Sequence, residues 1–107
     1  MALETLVFQE LKAVYDCLKL GYDLYYWHTA NRVEIDFVLY GKRGLKAFEV
    51  KRTSRISEGM LRGLRIFQKD YPSAKSYFIY GGKRRYYEGN ITILPAEEAL
   101  VQFSDIL

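Results

Sequence analysis

Apolar and polar positions alternate through Val33-Glu34-Ile35-Asp36-Phe37-Val38-Leu39-Tyr40 and again through Leu45-Lys46-Ala47-Phe48-Glu49-Val50-Lys51. β-Branched and aromatic residues at a period of two predict two strands, and Gly41-Lys42-Arg43-Gly44 between them is turn chemistry. A loop of this length sets Tyr40 opposite Leu45. Phe37 is then expected to face Phe48, and Ile35 to face Val50, on one side of the hairpin. On the other side Asp36 is expected against Glu49 and Glu34 against Lys51. A one-residue slip would scatter the apolar pairs over both sides, which favours this register.

Elsewhere the period lengthens to that of a helix. Leu3 to Leu20 reads as a first helix closed by Gly21, with Leu3, Leu6, Val7, Val14 and Cys17 on its apolar face. Glu10 falls in the middle of that face, where a carboxylate needs a cation, a metal or a hydrogen-bond donor. Cys17 on the same face reads as a small buried hydrophobe. Leu24 to Thr29 reads as the first strand, and Ala30-Asn31-Arg32 turns from it into the hairpin. Ser57 is placed to cap a helix that runs to about Tyr71, where Pro72 ends it. Met60, Leu64, Phe67 and Tyr71 form its buried stripe, with Leu61 at the border and Arg62, Arg65 and Lys69 opposite. Gly59 and Gly63 each cost that helix about 1 kcal/mol relative to alanine and suit close approach to a neighbouring backbone. Lys75 to Tyr80 is a further strand, Gly81-Gly82 a turn, and Asn90 to Leu94 a short edge strand. Pro95 opens a final helix to about Phe103, with Glu97 and Glu98 in its first turn. This order predicts a small α/β domain, a mixed central sheet flanked by helices.

Composition narrows the setting. A chain of 107 residues is expected to form one domain, spanning 1–107, with a single modest core. Half the residues are hydrophobic and 16% aromatic, which excludes a disordered chain. The single cysteine excludes an intrachain disulfide and a cysteine-based zinc cluster, and suits a reducing, cytoplasmic setting. No apolar run has membrane-spanning length, so no membrane partner is expected. The net charge of +3 hides an uneven distribution: residues 51–85 hold ten basic and two acidic side chains, and residues 86–107 hold four acidic and no basic ones. A basic middle suits a polyanionic partner such as DNA.

The hairpin carries the candidate chemistry. Opposed residues lie roughly 4.5–5.5 Å apart at Cβ, and like charges there are destabilising. Asp36 beside Glu49 therefore calls for a cation, and Lys51 lies on the same side, two residues from Glu49. Two hard oxygen donors and an ammonium suit a Mg²⁺ or Mn²⁺ ion that also engages a phosphate. The plain alternative is a half-solvated hairpin with a Glu34–Lys51 ion pair.

Asp36, twelve intervening residues and then Glu49-Val50-Lys51 on the next strand resembles the PD-(D/E)xK nuclease signature. Glu34-Ile35-Asp36-Phe37-Val38-Leu39 followed by Glu49-Val50-Lys51 is also similar to an uncharacterised domain that follows the AAA+ module in many prokaryotic ATPases. The likeness runs from the first helix to the last, with Ile35 in place of the family-level proline. It implies a restriction-endonuclease-like core trimmed from a longer ATPase chain, and Mg²⁺-dependent hydrolysis of DNA phosphodiesters. In that reading Asp36 and Glu49 hold the metal, helped by the Val50 carbonyl, and Glu10 completes the set directly or through water. Lys51 orients or deprotonates the attacking water and contacts the phosphate, while Arg52, Arg55, Arg84 and Arg85 are candidates for DNA-backbone contacts. An AAA+ ATPase domain, in cis or in trans, is the implied partner, and an oligomer is compatible with it. The alternative function is a non-catalytic DNA- or protein-binding module attached to such an ATPase.

Overall fold

In the computed structural model, which describes residues 2–28 and 33–107, both faces of the central strands are buried. Six strands form one mixed sheet flanked by three helices, an α/β fold. The elements run α1 (Leu3–Cys17), β1 (Asp23–His28), β2 (Glu34–Gly41), β3 (Gly44–Val50), α2 (Arg62–Asp70), β4 (Lys75–Tyr80), β5 (Tyr86–Glu88), β6 (Ile91–Pro95) and α3 (Ala96–Ile106). The sheet order is β1-β2-β3-β4-β6-β5. β1, β2 and β3 form an antiparallel meander, β3, β4 and β6 run parallel, and β5 returns antiparallel to β6. A parallel neighbour needs a crossover, and α2 supplies it between β3 and β4. Asn90–Leu94 was expected at the edge. Instead β6 lies inside the sheet, because the short β5 hairpins onto it and takes the edge.

Alternation along the strands feeds two cores. Phe37, Leu39, Phe48, Val50, Tyr77, Ile79 and Leu94 pack under α1 and α3. Val38, Ala47, Phe78, Tyr80, Ile91 and Ile93 pack under Leu61, Leu64 and Phe67, at and within α2. Each core strand is thus apolar on both faces, as a sheet covered on both sides requires.

The helices depart from expectation in ways that matter for the site. α1 buries Val7, Leu11 and Tyr15, with Leu3, Phe8 and Val14 packed alongside. Phe8 stacks on Phe37 at 5.4 Å and Tyr15 meets Tyr22 edge-on at 6.3 Å. These large rings, rather than Leu6 and Cys17, decide which face turns inward. Glu10 and Cys17, both expected on the buried face, are exposed. The helix also stops before Leu20, and the chain leaves it through Lys19 and Gly21 at positive φ. The expected helix from Ser57 divides into a 3₁₀ turn, Glu58–Leu61, and α2. Ser57 occupies the capping position but makes no side-chain capping bond. The inward stripe is Leu61, Leu64 and Phe67, with Met60 partly buried and Tyr71 exposed. The close approach expected of the glycines holds for Gly63, where a Cβ would sit 2.9 Å from the Glu34 carbonyl, whereas Gly59 faces open space. The turn through Ala30, Asn31 and Arg32 lies outside the described residues.

Candidate functional site

The expected hairpin register is found from Gly41–Gly44 down to Phe37–Phe48. Beyond that pair the two strands are tied by carboxylates instead of a backbone ladder. Val50 N–H donates to Asp36 Oδ2 at 2.8 Å, and Asp36 N–H donates to Glu49 Oε1 at 3.2 Å. Each acid thus clamps the opposite strand, and the two are held side by side. A β-bulge sets up this geometry. β1 pairs Tyr25 with Val38 but Trp27 with Ile35, so β2 holds one extra residue between those two pairs. The bulge reverses the face of everything before it. Ile35, expected beside Val50, packs instead into the core under α2, while Phe37 packs under α1.

Asp36, Glu49 and Lys51 line one cleft of about 460 Å³ at the C-terminal end of β3, together with Glu34, Ser57 and Arg62. Gly63 forms part of its wall, so the missing Cβ lets the start of α2 close over the end of β2. Glu49 is only 7% exposed. Burial first, and the neighbouring Asp36 charge second, push its carboxyl from 4.5 up to about 8, against the pull of Lys51. Burial also raises Asp36, opposed mainly by the bond from Val50 N–H. Lys51 favours the charged form of both acids, so its ammonium acts on the pair as a counter-charge.

The helix-borne acid is not the expected one. Glu10 points away from the sheet, whereas the Glu4 charge acts on both Asp36 and Glu49. Glu4 sits four residues before Phe8 and seven before Leu11, on the stripe that turns inward, and overhangs the site from the start of α1. Including Leu11 and Tyr15 in the apolar face would have found it. Arg62 was read only as part of an exposed ridge, and Glu34 only as a partner for Lys51, yet both line the cleft.

The four expected DNA-contacting arginines do not form one patch. Arg52 and Arg55 follow Lys51 on the loop after β3. The Thr53 hydroxyl pins that loop, donating to the Arg55 carbonyl at 2.7 Å and accepting from its N–H at 3.2 Å. Arg52 also borders a second cleft, shared with Lys83, Glu97 and Glu98. Arg84 lies over the Tyr86 ring at 5.8 Å. Arg85 is held by α3, bonding Gln102 at 2.9 Å and pairing with Glu98 at 3.7 Å.

Asp36 and Glu49 each spend one oxygen on a backbone N–H, which leaves each a second oxygen for a cation. Among the described residues no group of three His, Cys, Asp or Glu side chains could hold a metal ion. The expected set completed by Glu10 is therefore reduced to two carboxylates. Two carboxylates with open positions still fit Mg²⁺, which keeps several waters and takes further oxygens from a phosphate.

Among the described residues no helix is long and apolar enough to cross a membrane. No curated protein matches the chain. The model of DUF4143, a domain of unknown function, matches residues 1–99, and the chain belongs to that family.

Proposed function

We propose that the Asp36–Glu49–Lys51 cleft hydrolyses DNA phosphodiester bonds with Mg²⁺ or Mn²⁺, in a PD-(D/E)xK-like arrangement. One observation carries the reading: two buried carboxylates are fixed side by side where they repel each other, with a lysine beside them and an open cleft in front. Structural acids are usually paired with a cation or left in water, and a buried like-charge pair in a cleft is a mark of function. The order helix, antiparallel meander, helix, parallel strand places both acids and the lysine at one end of the sheet, where α/β folds gather their sites.

Asp36 and Glu49 would hold the ion, which supplies a more acidic bound water and neutralises charge on the phosphate. The remaining work falls to the chain itself. Lys51 orients the attacking water and stabilises negative charge on the phosphoryl oxygens as it develops. Arg62, on the cleft wall, faces the same charge. The two hydrogen bonds to backbone keep the carboxylates from turning away, so little rearrangement is needed on binding.

Lys51→Ala should lower Mg²⁺-dependent cleavage of DNA by about a hundredfold or more, while affinity for DNA changes little, because the ammonium acts mainly on the transition state. Cleavage that survives unchanged in both Lys51→Ala and Glu49→Ala would sink the assignment. The reduction of the donor set to two carboxylates favours a second reading, a non-catalytic DNA-binding module attached to an ATPase. DNA binding without cleavage by the wild-type protein, with either metal, would select it.

A further inference from the structure

Seven large hydrophobic side chains are exposed among the described residues, and four of them, Tyr25, Tyr26, Tyr40 and Tyr71, border a single groove. Their exposure ranges from 44% for Tyr71 to 68% for Tyr26. The groove measures about 570 Å³ and lies between the β1–β3 meander and the end of α2, with Trp27 and Phe67 in its floor. Trp27 meets Phe67 edge-on at 5.3 Å, and Tyr71 lies over Phe67 at 4.8 Å, so the rings form a continuous surface. A core-packing role does not explain these tyrosines, since half of each ring faces water.

The groove continues from the cleft. Both are bordered by β2 and by α2, with Gly63 at the first and Phe67 and Tyr71 one and two turns further on. Asp36 and Tyr40 are four residues apart along β2, about 13 Å. No carboxylate lines the groove among the described residues, and the exposed Lys42 and Lys69 stand beside Gly44 and Tyr71 at its rim. A row of exposed aromatic faces with cations at the rim is the arrangement that holds unpaired bases. Stacking serves any base, and the cations meet the backbone phosphates. A duplex hides its base faces and gains little from such a surface.

We infer that this groove binds an unpaired stretch of the DNA strand whose phosphodiester reaches Asp36 and Glu49, so that the substrate is single-stranded or frayed DNA. The inference rests on the nucleolytic reading of the cleft, but its test does not need cleavage. Trp27 is the only tryptophan in the chain and lies in the groove, so its fluorescence reports stacking there alone. In chelator, a twelve-nucleotide oligothymidylate should quench Trp27 saturably, and a duplex of equal length should bind at least tenfold more weakly. Tyr40→Ala and Tyr71→Ala, both at exposed positions, should each lower oligothymidylate affinity about tenfold or more, which corresponds to about 1.4 kcal/mol per tenfold. Three outcomes would overturn the inference: no binding, binding that leaves Trp27 unquenched and both variants unaffected, or a wild-type dimer that the variants dissolve. The last would make the groove an interface between copies. Quenching without metal-dependent cleavage would remove the nuclease reading and keep the groove, and cleavage without quenching would do the reverse.

Discussion

Strand β3 buries an ionisable group near each end, and the two are handled in opposite ways. Near its start Lys46 is 4% exposed, and its ammonium donates to the Tyr22 hydroxyl at 2.7 Å. That hydroxyl in turn donates to the Leu107 carbonyl at 3.0 Å, beneath α1 and α3. Burial, with Arg43 second, lowers the lysine's pKa, and the neutral hydroxyl satisfies it within a closed core. At the other end Glu49 is as deeply buried, but its neighbour is a like charge and its surroundings open into a cleft. A buried group with a neutral partner and no opening serves the fold. A buried group set against its own kind, with room in front of it, is costly unless a ligand arrives.

The sharpest way to break this comparison is pH. A free glutamate loses its proton near 4.5, whereas Glu49 in the folded protein keeps it to about 8. Between those values the native state binds more protons than the unfolded one, so stability falls as pH rises through the window. Asp36 is raised as well and acts in the same sense. Lys46, whose pKa is lowered from 10.5, acts in the opposite sense, adding stability as pH rises towards that value. The metal-free melting temperature should therefore drop by several degrees between pH 5 and pH 8, and Glu49→Gln should remove most of the drop. A wild-type curve as flat as that of Glu49→Gln would mean that Glu49 ionises freely and the acidic end is ordinary.

The second test works on the other end of the strand. Lys46→Met keeps the volume and removes the buried charge, while Tyr22 retains its bond to Leu107. Replacing a buried charge by an apolar group of similar size ranges from neutral to about 1–4 kcal/mol stabilising. The melting temperature should hold or rise, and the response to Mg²⁺ should not change. A fall of several degrees would show that the lysine has a charged partner and belongs to a site of its own.

Much of the acidic end was legible in the sequence. The alternation around Gly41–Gly44 fixed the pairing down to Phe37–Phe48, and that pairing alone brings Asp36 and Glu49 together. The bulge was not legible, because it depends on β1, whose pairing with β2 no local pattern announces. Ile35 was assigned to the wrong face as a result. Glu10 was preferred to Glu4 because aliphatic spacing placed Leu6 and Cys17 inward, whereas the contacts of Phe8 and Tyr15 settle the rotation of α1. The order of β5 and β6 was hidden for a related reason. Lys83-Arg84-Arg85 reads as loop chemistry, and the three-residue strand after it forms only because β6 offers an edge. The basic middle was visible as composition, yet its division between the loop after β3 and the face of α3 is a tertiary fact.

The smallest effect bears most directly on the central claim, that Asp36 and Glu49 form a metal site. At pH 8, with chelator, Asp36→Asn should melt slightly above wild type. The amide keeps an oxygen for Val50 N–H and removes a cross-strand repulsion, an effect of about 0.2–1 kcal/mol. Excess Mg²⁺ should then reverse the order. A ligand at a hundred times its dissociation constant adds about 2.7 kcal/mol to the native state, and only wild type keeps both carboxylates to bind it. The measurement is a thermal melt of each protein with Mg²⁺ and with chelator. Crossing of the two proteins is the predicted result, and an equal gain from Mg²⁺ in both, or no gain in either, would contradict the account.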